Sequence, residues 1–365
     1  MNRLNRGFHF GKFFLIALAS AVTLSACGGG GGSSSTDSAT NSSAPTPPTS
    51  PTVANVTLQP SASTPGVAPT GDIVKDGIAY LNAMRATVGF ATPLVLDTGL
   101  TTVSQNHATY LELNSTFGHD EVAGSPGFTG ATPTARFAPL NLLTYGEVVV
   151  AGSPLAFSSS LAPAQILFDA PFHRIVMLDD FKNMGVGGAT GASWEAFNID
   201  FGNGANQVND TTLIAYPYSG QTGVQTTWFA NESPNPFANQ PQYEMTNVGY
   251  PVTLQSGFTG TLAGVNLALT DSTGASVSCL MVTPETDSAE LSNAAMCIPY
   301  APLKANSAYT VHATGTLNSY SVTNDTGTKA HAIDLTWSFT TGAAGAVNAS
   351  AVGREQPTEQ QRPKF

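Results

Sequence analysis

A change of periodicity near residue 204 most constrains what this chain can fold into. Between 72 and 202, segments with apolar residues every three or four positions alternate with short strand-like runs. From about 205 to 342 the helical pattern stops, and short runs such as PVTLQ (251–255), VNLALT (265–270), SVSCLMV (276–282) and LTWSFTT (335–341) follow one another across Gly, Pro and Asn turns. Mixed elements followed by strands alone predict an α+β chain, with a helix-and-sheet domain over 71–203 and an all-β sandwich of immunoglobulin-like type over 204–342. Asp271-Ser-Thr-Gly274 reads as a hairpin turn inside the second part.

The flanks read differently. Arg3, Arg6 and Lys12 precede an apolar run from Phe13 to Leu24, which is too short to cross a bilayer and suits a secretory signal over 1–26. Leu24-Ser25-Ala26-Cys27 resembles a bacterial lipobox, which implies cleavage before Cys27 and lipidation of its thiol. The expected address is therefore export, with lipid anchoring at the bacterial outer membrane, on its periplasmic or cell-surface face. Residues 27–70 are Gly, Ser, Thr, Pro and Ala with hardly a charge, and read as a disordered tether; the tail over 343–365 reads the same way.

Charge and cysteines narrow the function classes. Three bases precede Cys27, so the mature chain keeps ten bases against 24 acids, a balance of −14. No basic patch is present to follow phosphates, which argues against nucleic acid as a partner. With Cys27 assigned to lipid, Cys279 and Cys297 form an even pair in an exported chain and read as a disulfide, two buried thiols being the alternative.

In the first domain, Asp72 is placed to cap a helix carrying Ile73, Gly77, Leu81, Met84 and Val88 on one face, with Gly89 as its stop. A second helix starts at Asp97 and presents Leu100, Val103, His107, Tyr110 and Asn114, with Gly118 as its stop. A Gly-, Pro- and Thr-rich stretch over 122–141 reads as a loop. A strand over 145–150, a helix near 160–169 and strands around 184–188 and 194–201 complete the unit. His107, His119 and His173 all fall here, as does Glu147, an isolated carboxylate entering a Val-rich strand where burial requires a partner. Asp120 and Glu121 read as solvated loop acids. The chain has no Gly-x-Ser-x-Gly, no His-Glu-x-x-His and no Walker loop.

The ordered set Leu81-Asn82-x-x-Arg85, Gly89, Pro93-Leu94, Asp97, His107-Ala108, Gly118-His119, Gly146-Glu147, His173-Arg174 and Met184-Gly185-Val186-Gly187 resembles the CAP superfamily of cysteine-rich secretory, antigen and pathogenesis-related proteins, in its bacterial form. The resemblance covers roughly residues 72–202. It implies an α-β-α sandwich with a shallow cleft lined by two histidines and two glutamates. Carried over by motif, these are His119, Glu147 and His173, with His107 as a residue behind them or a replacement ligand. The second glutamate falls on Ala170 and is missing, and Val148 replaces an expected asparagine. The function implied is a non-enzymatic module binding a small apolar, lipid, peptide or divalent-metal ligand, or an extracellular protein partner, in that cleft. A metal-dependent hydrolase using His119, Glu147 and His173 with a divalent metal such as zinc, and a purely structural His/Glu network, remain the alternatives.

Overall fold

The computed structural model describes residues 55–63, 66–287, 290–321 and 327–344. The expected signal, the lipidated Cys27, most of the tether and nearly all of the tail lie outside them. The described residues belong to one compact unit.

The elements follow the chain as β1 (Thr57–Leu58), α1 (Ile73–Thr87), β2 (Val95–Leu96), α2 (Thr98–Asn114), α3 (Pro133–Phe137), β3 (Tyr145–Gly152), α4 (Ala162–Asp169), α5 (Pro171–Met177), β4 (Phe181–Thr190) and β5 (Glu195–Gly204). Strands β6 (Thr212–Tyr216), β7 (Thr227–Phe229), β8 (Asn247–Gly249), β9 (Val252–Gln255), β10 (Gly260–Asp271), β11 (Ser276–Val277), β12 (Cys279–Val282), β13 (Ala294–Pro299), β14 (Ala308–Ser319) and β15 (Lys329–Thr340) complete them. The α+β class is thus observed, and among the described residues the helices fall in the first part.

A four-stranded sheet of order β2-β4-β5-β3 forms the middle of that first part. Helix α2 covers one face, while α1, α4 and α5 pack on the other. Alternation along β5 explains the layering. Phe197, Ile199 and Phe201 join the core under α1, α4 and α5, while Ala196 packs with Ala108 and Leu111 of α2. Gly185 and Gly187 let α2 approach β4, since a methyl group at either would overlap the backbone of Leu100 or Ser104. Local signals hold at both helix starts. Asp72 accepts from the Val74 and Lys75 amides, and Asp97 from the Leu100 amide. Helix α2 ends earlier than expected, at Ser115 in a left-handed conformation (φ 47°), and Gly118 instead turns the following loop at φ 100°. The expected loop over 122–141 also contains α3, which Pro133 in its first turn and the Thr132 cap make possible.

The second part holds a five-stranded sheet, β1-β6-β9-β13-β12, and a four-stranded sheet, β11-β10-β14-β15. Leu254, Met296 and Ile298 from the first share a core with Leu267, Val311 and Trp337 from the second. The expected single strand over 276–282 is broken. Its start, β11, pairs with β10, and its end, β12, pairs with β13, so the chain changes sheet at Ser278. The hairpin at Asp271–Gly274 forms, with Gly274 at φ 81°. The disulfide Cys279–Cys297 forms and ties β12 to β13. The tether expected over 27–70 gives way at its end: Thr57 and Leu58 pair in parallel with Thr212 and Leu213, because Val56 finds a buried site there.

One core runs through both parts. Phe181 meets Phe258 edge to face, with ring centroids 5.0 Å apart. The Arg174 guanidinium lies 4.8 Å from the ring centroids of Tyr216 and Tyr250 and donates to the Pro251 carbonyl at 2.8 Å. Gln255 donates to the Ile175 carbonyl at 3.0 Å. These contacts seat the second part on α4 and α5, beside the edge strand β3.

Candidate functional site

A cavity of about 370 Å³ opens where these pieces meet. Its walls come from the loop before α3 and α3 itself, from β3, from α5 and the segment after it, and from three stretches of the second part, around Ser233–Pro234, Phe258–Thr261 and Glu290–Asn293. Phe137, Phe172, Ile175, Val176, Phe181 and Phe258 make them mainly apolar. His119, Glu147 and His173 all line this cavity, so the structure brings together three residues that the sequence placed far apart.

His119 donates from Nδ1 to Glu147 Oε1 at 2.8 Å and keeps about a quarter of its side chain exposed. Glu147 is held from behind. Both terminal contacts of Arg136, from α3, reach it from Nη2, at 2.9 Å to Oε1 and 2.8 Å to Oε2. Burial pushes the Glu147 carboxyl up, but the His119 hydrogen bond and the charges of His107, Arg136 and His119 outweigh it, and the group stays well below the usual carboxylate range. Its cross-strand neighbour is Asp200, on β5. Burial and the Glu147 charge push Asp200 far up, so Asp200 keeps its proton while Glu147 is ionised. Asn198 donates to Asp200 Oδ1 at 3.1 Å.

His107 does not line the cavity, which corrects its expected place in the cleft. It is a fully buried residue of α2, with Nδ1 2.9 Å from Glu121 Oε1 and Nε2 3.0 Å from the Gly118 carbonyl. Both ring nitrogens face acceptors, which only the doubly protonated ring satisfies. Glu121 is likewise no solvated loop acid. It is buried, accepts from the Thr129 and Gly130 amides at 2.6 and 3.2 Å, and lies 3.8 Å from Arg136 Nη1. Burial raises the Glu121 carboxyl, and the His107 contact and the Thr129 amide bring it back below its ordinary value. Two cations, His107 and Arg136, thus neutralise two carboxylates, Glu121 and Glu147, in a closed network behind the cavity wall.

The second couple is built across the molecule. The His173 backbone amide and its Nδ1 both donate to Glu232 Oε1, at 2.8 and 2.7 Å. His173 is the third residue of α5, where a helix leaves its amides without internal partners, so Glu232 satisfies that end as well as the ring. The other carboxylate oxygen, Glu232 Oε2, is buried and has no partner among the described residues. Ala170, where the resemblance puts the missing glutamate, only joins α4 to α5. Asp169 beside it turns away, accepting from Tyr250 Oη at 2.7 Å and Gln225 Nε2 at 2.8 Å. The carboxylate that bonds to His173 is therefore Glu232, from the second part, and not a residue at position 170. No sequence signal pointed to Glu232 or Arg136. Both lie in stretches read as loop or turn, and each finds its partner only through packing.

Among the described residues, no group of three or more His, Cys, Asp and Glu is placed to hold a metal ion. Both Glu147 oxygens are taken by Arg136, and the Nδ1 atoms of both histidines are taken by carboxylates, which leaves each histidine only Nε2 to offer a ligand.

No protein-family model matches the chain, and no curated protein does. Among solved structures, an extracellular protein containing an SCP domain from Bacillus anthracis matches at 22% identity over 36% of this chain, with a TM-score of 0.29. The match spans 40% of that protein's length, and a likeness this slight carries no argument about fold or function.

Proposed function

We propose that this is an exported, lipid-anchored protein of the CAP type that holds a small, largely apolar ligand without turning it over, and whose second part is an immunoglobulin-like sandwich. The observation that carries the reading is the cavity itself. Its volume of about 370 Å³ lies within the range of small-molecule sites, and its apolar walls close around a few polar groups. The cavity is bipartite, since Ser233, Phe258 and Leu291 of the second part face His119 and Phe172 of the first. The sandwich is then half of the binding site rather than a spacer. The address rests on the basic start, the apolar run and Cys27 of the sequence.

Turnover has less support. A general base works best with its pKa near the working pH, and Glu147 is held far below that. The closed network of His107, Glu121, Arg136 and Glu147 favours a structural task for the first couple, which is compatible with a binding cavity in front of it. The test is uptake of a neutral apolar dye such as Nile red by the delipidated protein. One-to-one uptake in the micromolar range that Val176→Trp abolishes, with folding unchanged by circular dichroism, is the expected result. Uptake that is absent, or unaffected by filling the cavity, overturns the proposal.

A further inference from the structure

The head group that this cavity accepts can be read from the charges around it. Among its lining residues are three carboxylates, Glu147, Asp179 and Glu290, and no lysine or arginine. Glu147 is neutralised from behind by Arg136 and Glu290 already engages a partner, which leaves Asp179 as the acid to examine.

Asp179 follows α5 and is half-buried in the cavity wall. Its carboxyl accepts the Asp180 amide at 2.9 Å and takes a side-chain hydrogen bond from Asn293, which comes from the second part. Arg85 is the nearest cation, but its Nη1 donates to the Asp179 backbone carbonyl, at 2.6 Å, and to the Met177 carbonyl, at 3.0 Å. Among the described residues no lysine, arginine or histidine forms an ion pair with the Asp179 carboxylate. A carboxylate set into an apolar wall without a cationic partner is costly in its charged form.

Resting on the binding role proposed above, we infer that the ligand carries a positively charged head, an aliphatic or aromatic amine, that docks on Asp179 while its apolar body fills the cavity. Such a head supplies the missing counter-ion and makes a charge-assisted hydrogen bond in a low-dielectric pocket. A fatty-acid carboxylate would instead meet like charge with no lysine or arginine to receive it. Burial, and next the charge of Asp180, push the free Asp179 carboxyl up to about 7, opposed by the Asp180 amide, the Arg85 charge and Asn293. The bound amine would favour the ionised form, so its preference should grow as pH rises through that value.

The experiment compares octylamine, octanoate and octanol as competitors of Nile red on the delipidated full-length protein, at pH 8.5 and 5.5. At pH 8.5 octylamine should displace the dye about tenfold more effectively than octanoate, the weight of one good charged contact. The margin should shrink at pH 5.5. His119, His173 and Glu290 face the same cavity, and Asp179→Asn separates the contribution of Asp179 from theirs. In that variant the preference at pH 8.5 should fall to near parity while octanol still displaces the dye. Octanoate competing as well as octylamine, or a preference that survives Asp179→Asn, overturns the head-group assignment while leaving the cavity as a binding site. Failure of all three competitors, octanol included, overturns the binding role and the assignment with it.

Discussion

His119 and Glu147 stand 28 residues apart in the chain, and His173 and Glu232 stand 59 apart. Both couples face one cavity through their histidines, yet they are supported differently. The first glutamate is gripped by Arg136 inside a network whose charges cancel. The second is held by one histidine alone, with an oxygen left over. The first couple therefore behaves as part of the scaffold, and the second as a latch between the two parts of the protein.

The comparison breaks most sharply at Glu147. Glu147→Ala should cost about 3–5 kcal/mol, because it strands the buried Arg136 guanidinium without its partner. Urea unfolding measures this, and a loss under 1 kcal/mol would show that the network is not structural. Removing the disulfide comes next. Cys297 sits on β13, directly after the Glu290–Asn293 wall, and its bridge closes a separation of 18 residues. Replacing both Cys279 and Cys297 with alanine should cost about 3 kcal/mol by loop entropy, seen as a lower midpoint in the same titration.

Glu232→Gln should be milder, about 1–2 kcal/mol, since glutamine keeps one acceptor for His173. Its sharper effect should be on ligand affinity, since the His173 ring loses its charged support; equal dye affinity in the variant would remove the latch from the binding site. The smallest effect is the pH dependence of Asp179, where contact with the solvated cavity trims the electrostatics. Its folded pKa of about 7 lies above the ordinary 3.8, so the native state holds this proton longer than the unfolded chain does. Stability from this group is full below about pH 4 and is lost as pH rises toward 7. Asp179→Asn should match the native protein at pH 4 and exceed it in melting temperature at pH 8. A variant that is less stable at pH 8 contradicts that sign.

Legibility in the sequence followed the range of the interaction. Asp72 and Asp97 were readable as caps because a cap bonds amides two or three residues away. The alternation of Phe197, Ile199 and Phe201 was readable because a strand has a fixed period. Glu121 was misread for the opposite reason. A Gly- and Pro-rich neighbourhood suggests solvent, but the loop folds back so that the Thr129 and Gly130 amides, His107 and Arg136 surround the carboxylate. Ser115 took the helix end from Gly118 because a non-glycine residue can adopt the left-handed turn at modest cost. The broken strand at Ser278 was invisible because both halves carry the same pattern, and only the sheets on either side distinguish them.

By itself, then, the sequence determined the α+β class, the helix starts, the cysteine pair and three of the residues that reach the cavity. Each of these depends on local periodicity, on capping within a turn or on the composition of the chain. The tertiary structure decided which acid serves which histidine, moved His107 behind the wall, and made Glu232, not a residue at position 170, the partner of His173. It also decided that the two parts share a core and a cavity. The physical reason is that hydrogen bonds of 2.7–2.9 Å form only where packing has already brought side chains together. Packing between segments 59 residues apart is fixed by the whole buried surface, not by the residues between them.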